Sequence, residues 1–258
     1  MGTKKEVIAE IFRRCKEKKE SIFDNTLVKQ VCKEYGFGNP FDVTKLDSTS
    51  KFPQILLDED YFILHLGKGR HKFVKGICNG YHSFEEIKED CIFDWKYRKS
   101  ILNEFDTSES NILSVASNQR IIHDFLYEDI VASPKVYSAR RTKMNLSYRV
   151  GNEKIQTQNL QMEIDLTMEL HGMVTIFEGK NGFPENFAVY QLFHPFKYFF
   201  LLKEEKKLNV KEITCCYVLR KKEEGMSILR LYNYTFEDEN NMKSIRLLKN
   251  AQYNLIRR

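Results

Sequence analysis

Two carboxylates and one amine near the middle of the sequence have the types and spacing that metal-assisted hydrolysis requires. Asp165 lies in "QMEIDLTMEL", and Glu178 and Lys180 follow in "MVTIFEGKNG". Paired carboxylates can bind a hard divalent cation such as Mg²⁺, which prefers oxygen ligands. A neighbouring lysine can position a water molecule and offset the negative charge that develops during hydrolysis. These three residues are therefore the first candidates for a site.

The two segments read as the strands of a β-hairpin. In "QMEIDLTMEL" apolar and polar residues alternate without exception, which places Glu163, Asp165 and Glu169 on one face. If His171-Gly172 forms a two-residue turn, Asp165 lies opposite Glu178. By the same register, Glu163 lies opposite Lys180.

Directly opposed residues of a hairpin have β-carbons about 5 Å apart, so two carboxylates at this distance repel each other. A bound metal ion would relieve the repulsion. Protonation of one carboxylate, or neutralisation of the pair by Lys180, would also relieve it. The simplest alternative is a surface salt bridge between Glu178 and Lys180, with no further role.

The segments around the hairpin predict a sheet with helices. Strands are predicted for "TKMNLSYRV" and "GNEKIQTQNLQMEIDLTMEL", then for "MVTIFEGK", "ITCCYVLR" and "SILRLYNYTF". A helical stretch, "NFAVYQLFHPFKYFFLL", lies between "MVTIFEGK" and "ITCCYVLR", and Pro195 should kink or divide it. This order predicts an α/β (α+β) fold over residues 131–258, with a mixed β-sheet flanked by helices. Residues 81–130 read as connecting helices that belong to the same domain.

Residues 1–80 read as a separate, smaller domain. Helical patterns cover "KEVIAEIFRRCKEK" and "DNTLVKQVCKEYGFG", and a short third helix is predicted for "FDVTKLDSTS". Two strand-like runs follow, "QILLDEDYFILHLG" and "HKFVKGI". Three helices and a ribbon are the order of a winged helix-turn-helix, in which the third helix enters the major groove of DNA. The alternative is a generic helical domain with solvated charged faces.

The distribution of charge supports a nucleic-acid partner for this region. Residues 1–80 carry +4 of the total net charge of +5. The segment "GKGR" lacks the glycine spacing of a nucleotide-binding loop, so its basic residues are better candidates for phosphate contacts. The predicted contacts in this region are Lys45, Lys68, Arg70 and Lys72.

Composition excludes several other classes of protein. The sequence has neither the apolar run that a membrane span needs nor a secretory signal at its start, so we expect a cytoplasmic protein with no membrane partner. Its six cysteines form no C-x-x-C pair and are expected to be reduced, buried and structural. Its six histidines match no zinc-binding spacing.

Asp165 and the tripeptide Glu178-Gly-Lys180 resemble the signature of PD-(D/E)XK nucleases, in which an acidic residue on one strand precedes Asp/Glu-x-Lys on the next. The longer block "QMEIDLTMELHGMVTIFEGKNGFPENFAVYQLFHPFKYFF", with "SARRTKMNLSYRV" before it, resembles the catalytic region of a group of type II restriction endonucleases. The resemblance covers residues 135–202. It reaches residues 1–80 in outline, because several of those proteins carry an N-terminal winged helix. The chain departs from the signature in having Ile164 before Asp165.

This resemblance implies roles for individual residues. Asp165 and Glu178 would bind Mg²⁺, and Lys180 would be the catalytic lysine. Gln191 would lie near the scissile phosphate. Glu163 would be an auxiliary ligand or an electrostatic partner of Lys180.

Further expectations follow for neighbouring residues and partners. Many such nucleases add an acid from an upstream helix, and Asp124 or Glu128 could serve. Arg140, Arg141 and Lys143 could grip the DNA backbone, although a solvated loop would explain them equally well.

The resemblance implies a site-specific endonuclease for double-stranded DNA, paired in function with a cognate DNA methyltransferase. A symmetric recognition site would match a homodimer. Two alternatives remain open from the sequence: a non-catalytic winged-helix regulator, and a repair or RNA-processing nuclease on the same fold.

Overall fold

The computed structural model of the chain describes residues 2–97, 109–223 and 226–257. Within these ranges the helices are α1 Lys4–Lys18, α2 Asn25–Tyr35, α3 Gln54–Asp58, α4 Glu109–Asn118, α5 Ile121–Tyr127 and α6 Tyr190–Lys206. The strands are β1 Ile22–Asp24, β2 Tyr61–Gly67, β3 Arg70–Lys75, β4 Tyr81–Ser83, β5 Ile92–Tyr97, β6 Lys135–Met144, β7 Ser147–Val150, β8 Glu153–Gln156, β9 Leu160–Leu170, β10 Met173–Asn181, β11 Asn186–Ala188, β12 Glu212–Glu223, β13 Met226–Phe236 and β14 Ile245–Arg257.

The strands that follow the N-terminal region form a seven-stranded mixed sheet, in the order β5-β14-β13-β12-β10-β9-β6. The pairs β10–β12 and β14–β5 are parallel, and the other neighbours are antiparallel. On one face α4 and α5 pack over a core that includes Phe177 and Leu231. On the other face α6 and the N-terminal elements pack over Ile176 and Tyr217. The predicted mixed sheet flanked by helices is confirmed.

The first two helices form as their sequences predict. In α1 the buried residues include Val7, Ile8 and Ile11, which repeat at helical spacing. Asp24 caps α2 by accepting hydrogen bonds from the backbone of its first turn, and Gly36 ends that helix with φ of 67°. Both helices are confirmed.

The predicted third helix is wrong. Residues 40–48 form turns, with Val43 and Leu46 buried, and a single 3₁₀ turn follows at Thr49–Lys51. The third helix is instead α3, which is five residues long and lies where a strand was expected to begin. Of the apolar residues in this segment, Val43 and Leu46 are the two that are buried. Two side chains three residues apart can be buried by a series of turns as well as by a helix.

The ribbon of β2 and β3 is confirmed, and β1 joins it to give a three-stranded sheet in the order β1-β3-β2. The first region therefore contains helix, strand, two helices and two strands in that order. Its hairpin turn is Lys68-Gly69, and both residues have positive φ angles. The backbone carbonyl of Gly69 accepts a hydrogen bond from Asn25 at the start of α2, so the turn is held against that helix.

Both regions share one continuous apolar core. The buried cluster beneath the hairpin includes Phe62 and Leu64 of β2 and runs without interruption to Ile164, Ile176 and Leu192. The hairpin touches the large sheet at Gly67, where the backbone nitrogen of Gln158 donates to Leu66 at 2.8 Å. The N-terminal region is thus packed onto the sheet along its own ribbon.

Gly67 provides a test of this junction. A β-carbon at this position would lie 2.1 Å from the backbone oxygen of Gln158, and φ is +82°. We expect Gly67→Ala to lower the free energy of unfolding by about 3 kcal/mol, from left-handed strain and overpacking combined. Gly36→Ala is the matched control, since φ is +67° and no atom lies within 4 Å, and it should cost only about 1 kcal/mol. Urea unfolding measures both; equal losses would contradict tight packing at Gly67.

Histidines lie where the ribbon meets α6, and the His65 ring packs against Tyr190 of α6 with centroids 5.8 Å apart. His65 and His71 approach through their Nδ1 atoms at 3.0 Å, and His194 of α6 pairs with the hydroxyl of Tyr148 at 2.7 Å. Burial lowers the pKa of His71 to about 4 and that of His194 to about 3. Both rings are therefore neutral in the folded protein at neutral pH.

These pKa shifts make stability depend on pH. The unfolded state binds protons at these rings below about pH 6.5, whereas the folded state does so only near pH 4 at His71 and near pH 3 at His194. Stability should be complete above pH 6.5 and fall by about 1.4 kcal/mol per pH unit per histidine as the pH drops toward 4. Urea unfolding at pH 7, 6 and 5 should show a shallower slope for His194→Gln. Equal slopes in the unaltered protein and in His194→Gln would refute the assignment.

The prediction of connecting helices over residues 81–130 is correct only in part. Helices α4 and α5 occupy 109–127, but residues 81–97 contain the strands β4 and β5. Strand β4 pairs with β11, and β5 adds to the edge of the large sheet beside β14. Residues 98–108, which fall in the same predicted segment, lie outside the described residues.

The helix that follows the β9–β10 hairpin is continuous. Pro195 lies inside α6 and does not divide it. Lys197, two residues later, is buried and donates to Asn240 Oδ1 at 2.7 Å, so it anchors a loop rather than facing solvent.

Across the described ranges, none of the helices combines the length and apolar character needed to cross a bilayer. All six cysteines are free: Cys15, Cys32, Cys215 and Cys216 are buried as expected, whereas Cys78 is exposed and Cys91 is intermediate.

Candidate active site

The hairpin that carries the candidate residues has the predicted register. Leu170 pairs with Met173, and the ladder continues to Leu166 and Phe177. His171 and Gly172 have φ angles of 51° and 88°, as a two-residue turn of the type I′ class requires. Regular pairing between β9 and β10 ends at Leu166 and Phe177. Asp165 and Glu178 are therefore the first residues beyond the paired part of the hairpin.

The Asp165 side chain reaches across to β10 at this point. Its Oδ2 accepts a hydrogen bond from the backbone nitrogen of Gly179 at 3.2 Å. Because that nitrogen is bonded to the carbonyl carbon of Glu178, the Asp165 carboxylate lies beside the Glu178 backbone. The strict alternation of burial along β9 also stops here, since Asp165 and Leu166 are both half-buried. The strands therefore separate at the positions of the two acidic residues.

Glu178 is held by two polar neighbours. Its Oε1 lies 3.1 Å from Lys180 Nζ and accepts a hydrogen bond from Gln191 Nε2 at 2.9 Å. Gln191 Oε1 in turn accepts from the hydroxyl of Tyr217 at 3.1 Å. Gln191 is in the first turn of α6, and Tyr217 lies opposite Glu178 on β12. The structure thus brings together Glu178, Lys180 and Gln191, which the sequence had grouped.

The contact between Glu178 and Lys180 is also what the simplest alternative, a surface salt bridge with no further role, predicts. However, the Glu178 and Lys180 side chains are only 12% and 17% exposed. An ion pair withdrawn from water is costly unless further hydrogen bonds satisfy its partners. The Gln191 amide supplies one such bond, which a solvated surface pair does not need.

A segment of the N-terminal region approaches the same site. Burial raises the pKa of Tyr190 well above its ordinary value, and the negative charges of Asp47 and Glu178 raise it further. The backbone carbonyl of Asp47 accepts a hydrogen bond from Ala188, two residues before α6 begins. Sequence reasoning missed Asp47, Tyr190 and Tyr217, because none of them belongs to the short acidic motif.

Glu163 is not where the sequence placed it. We expected it opposite Lys180, but it pairs with Arg141 of β6, whose Nη2 lies 3.1 Å from Glu163 Oε1. The reason is that β10 pairs with β9 only from Leu166 onward, whereas the part of β9 before Asp165 pairs with β6 alone. Glu163 is exposed, and its side-chain partner is a basic residue of β6 rather than Lys180.

The two upstream acids considered from the sequence lie elsewhere. Asp124 accepts a hydrogen bond from the hydroxyl of Tyr253 at 2.8 Å, and Glu128 lies 3.6 Å from Lys249. Both partners are on β14, which is separated from β10 by β12 and β13. Strands lie about 4.8 Å apart, so these acids are roughly 14 Å from the candidate site.

The carboxylate pair fits Mg²⁺ by the chemistry of its donors. Among the described residues, no cluster of three or more His, Cys, Asp and Glu side chains could form a metal cage. Mg²⁺ characteristically takes one or two carboxylates and completes its shell with water and substrate phosphates. Asp165 and Glu178 offer that number and type of ligand.

Family comparisons divide the chain into two parts. Residues 76–254, which are more than half of the chain, match the family described as a domain of unknown function, DUF6997. The chain belongs to the DUF6997 family. Residues 5–73 match a second domain of unknown function, DUF6996. No curated protein and no solved structure matches the chain.

The four candidate residues that the sequence singled out and the structure places at the site lie in the DUF6997 part of the chain: Asp165, Glu178, Lys180 and Gln191. The DUF6996 part ends within β3 and so contains α1 to α3 together with the hairpin turn. Asp47 belongs to that part, so the two matched regions meet next to α6.

The predicted DNA contacts in this DUF6997 protein form two groups. Lys68 and Arg70 are exposed at the hairpin turn, and Lys45 is exposed on the loop before the 3₁₀ turn. The Lys72 ammonium is paired with Glu153, so it is not presented to solvent as the other three are.

The second group lies on β6, the edge strand of the large sheet. Arg140, Arg141 and Lys143 are exposed, and the first two pair with Ile164 and Glu163, the two residues of β9 that precede Asp165. Arg140 donates to the hydroxyl of Tyr198 at 2.7 Å. Lys143 pairs with Gln161, close to where Gly67 of the hairpin touches Gln158. The two basic groups are therefore neighbours along the same end of β9.

Proposed function

We propose that the chain is a Mg²⁺-dependent, site-specific endonuclease that hydrolyses phosphodiester bonds of double-stranded DNA, of the type II restriction class. The observation that supports this most strongly is the position of Asp165. Its carboxylate bonds to the backbone of Gly179 where β9 and β10 separate, beside the Glu178–Lys180 pair. This places one acid beside the backbone of an acid–lysine pair, and these are the residue types that metal-assisted phosphodiester hydrolysis uses.

Each residue has a role in this proposal. Asp165 and Glu178 hold the cation, and bound Mg²⁺ supplies positive charge and lowers the pKa of a water molecule. Lys180 orients the attacking water and offsets charge on the phosphate in the transition state. Gln191 fixes the Glu178 carboxylate through Oε1 and is itself fixed by Tyr217. Such outer contacts keep a ligand in its productive orientation.

The basic residues support a duplex as the substrate. A DNA backbone that passes along the end of β9 would meet Arg140, Arg141 and Lys143 beside the site, and Lys68 and Arg70 farther on. Phosphate contacts of this kind position a protein on DNA without reading its sequence.

The N-terminal region is proposed to be a winged-helix-like DNA-binding unit. Its element order and its three-stranded sheet support this proposal. The five residues of α3, Gln54–Asp58, include no lysine or arginine and end in an aspartate, which is poorly suited to a groove lined with phosphates. We therefore assign backbone contacts to the hairpin turn and to Lys45, and no base readout to α3.

A restriction enzyme of this kind would work in the cytoplasm beside a cognate DNA methyltransferase that protects the host sites. Cutting both strands of a symmetric site needs two active sites related by a two-fold axis. We expect a homodimer on DNA, with two chains per duplex in light scattering of the complex. A duplex that lacks the recognition site is the control, and one chain per cleaved site would refute this prediction.

Plasmid cleavage tests the proposed function directly. With Mg²⁺ we expect discrete fragments whose mapped ends share one short sequence, and with a chelator we expect no cleavage. Duplex binding without cleavage under all metal conditions would favour a non-catalytic regulator. Faster cleavage of single strands or RNA would favour a repair or RNA-processing nuclease.

A further inference from the structure

A pocket next to the candidate site lies on the same face of the large sheet. Its volume is about 450 Å³, within the range of small-ligand pockets. The sheet contributes Leu219, Arg230 and Gln252 in one row, because these residues are direct partners across β12, β13 and β14. Leu219 is also the direct partner of Lys180. The row therefore runs from the catalytic lysine into the pocket.

Two segments enclose the pocket from the other side. Phe84, after β4, packs against Tyr232 with ring centroids 4.8 Å apart, and Phe183 follows Lys180 by three residues. The backbone nitrogen of Phe84 donates to Glu185 at 3.1 Å, which joins the two segments. The pocket is thus bounded by aromatic rings on segments that are tied to each other.

Arg230 lines this pocket between Leu219 and Gln252 and is held by two contacts. Its guanidinium lies 4.1 Å from the centre of the Phe183 ring, and its Nε donates to Gln252 Oε1 at 2.8 Å. Nucleobases stack on guanidinium planes as well as on aromatic rings. An arginine and a glutamine side by side also provide donors and acceptors for a base edge.

The charge of the lining distinguishes a base from a phosphate. Three carboxylates line the pocket: Glu85, Glu86 and Glu185. They would repel a phosphate group, whereas the amino groups of a base would find acceptors there. A phosphate is better placed at Lys180, one strand away from the pocket. Phosphate and base of a single nucleotide would then occupy adjacent positions along the row.

We propose that the pocket formed by Phe183, Arg230 and Gln252 holds one nucleobase of the cleaved strand, turned out of the duplex beside the scissile phosphate. This inference rests on the proposed nuclease function. Turning a base out of the helix costs unpairing and unstacking energy, and this cost is smallest when the base has no partner.

Abasic scanning of the bound duplex tests the pocket. The recognition site is placed in short duplexes, and one nucleotide at a time in the strand opposite the scissile bond is made abasic. Binding is measured by fluorescence anisotropy in Mg²⁺ with the Lys180→Ala variant, so that the DNA stays intact. We expect about tenfold tighter binding at one position, since no base pair has to be broken there. A base pair that is read within the duplex gives the opposite sign, with binding weakened by about fivefold or more.

Additional substitutions in the Lys180→Ala variant test whether the tighter binding arises in this pocket. Arg230→Ala should abolish the gain at that position, and Gln252→Ala should reduce it. Lys221→Ala is the matched control: Lys221 Nζ lies 5.8 Å from the Phe183 ring but is not part of the pocket lining, so the gain should persist. Thermal unfolding identifies variants that fail to fold.

Two outcomes separate the pocket from the nuclease function. If the intact duplex is bound and no abasic position tightens binding, the base pocket is refuted while the function stands. If no duplex is bound at all, both proposals fall together.

Discussion

The Asp165→Asn variant should lose Mg²⁺-dependent DNA cleavage by at least about a thousandfold while it keeps its fold. A metal ion contributes several kcal/mol to stabilising the transition state, and each 1.4 kcal/mol is a factor of ten in rate. Asparagine can still accept the hydrogen bond from the Gly179 backbone, so the junction of β9 and β10 is preserved. Single-turnover cleavage of a mapped site, together with urea unfolding, measures both effects.

The matched control for Asp165 lies on the same strand. Glu169 accepts a hydrogen bond from the backbone of Gly172 at the turn of the hairpin, away from the candidate site. Glu169→Gln should therefore leave the cleavage rate within about twofold of the unaltered protein. If Asp165→Asn unfolds under mild conditions, Asp165 is a structural residue and the metal assignment is wrong.

Lys180→Ala should reduce the cleavage rate by at least about a hundredfold, with little change in DNA affinity. The loss corresponds to one preorganised charged donor at the reacting phosphate. The rate should not recover at higher Mg²⁺ concentrations, because both acidic ligands remain in place. Single-turnover rates and anisotropy binding on the same duplex separate catalysis from affinity.

Lys211→Ala is the control for this substitution. Lys211 is exposed at the opposite end of the β10–β12 pair, next to Glu212, the partner of Met173. The Lys211→Ala substitution removes the same charge far from the site and should leave the cleavage rate nearly unchanged. A similar loss in both variants would mean that Lys180 acts only through net charge.

The hairpin could be predicted from the sequence because its determinants are local. Alternation along "QMEIDLTMEL" sets the faces, and His171-Gly172 sets the turn, so the register of Leu166–Leu170 with Met173–Phe177 follows. The point where the strands separate does not follow. It depends on the pairing of β9 with β6, which comes from an earlier part of the chain.

Contacts that depend on tertiary packing were not predictable. Tyr217 meets Gln191 because β12 is parallel to β10, with α6 forming the connection. The order strand, helix, strand suggests parallel neighbours, but the register is set by how α6 packs. Residues 92–97 fell within the segment predicted as connecting helices but form β5 beside β14; Ile92, Phe93, Trp95 and Tyr97 are of the types that favour strands, so this part of the sequence carried a strand signal.

The continuous core under the hairpin limits how parts can be exchanged between proteins of this family. A hybrid that takes residues 2–75 from one relative and the large sheet from another would pack together apolar surfaces that come from different proteins and need not be complementary in shape. The backbone of Gln158 fits against Gly67 with no room for a side chain. A successful transplant would therefore have to carry the start of β9 along with the ribbon.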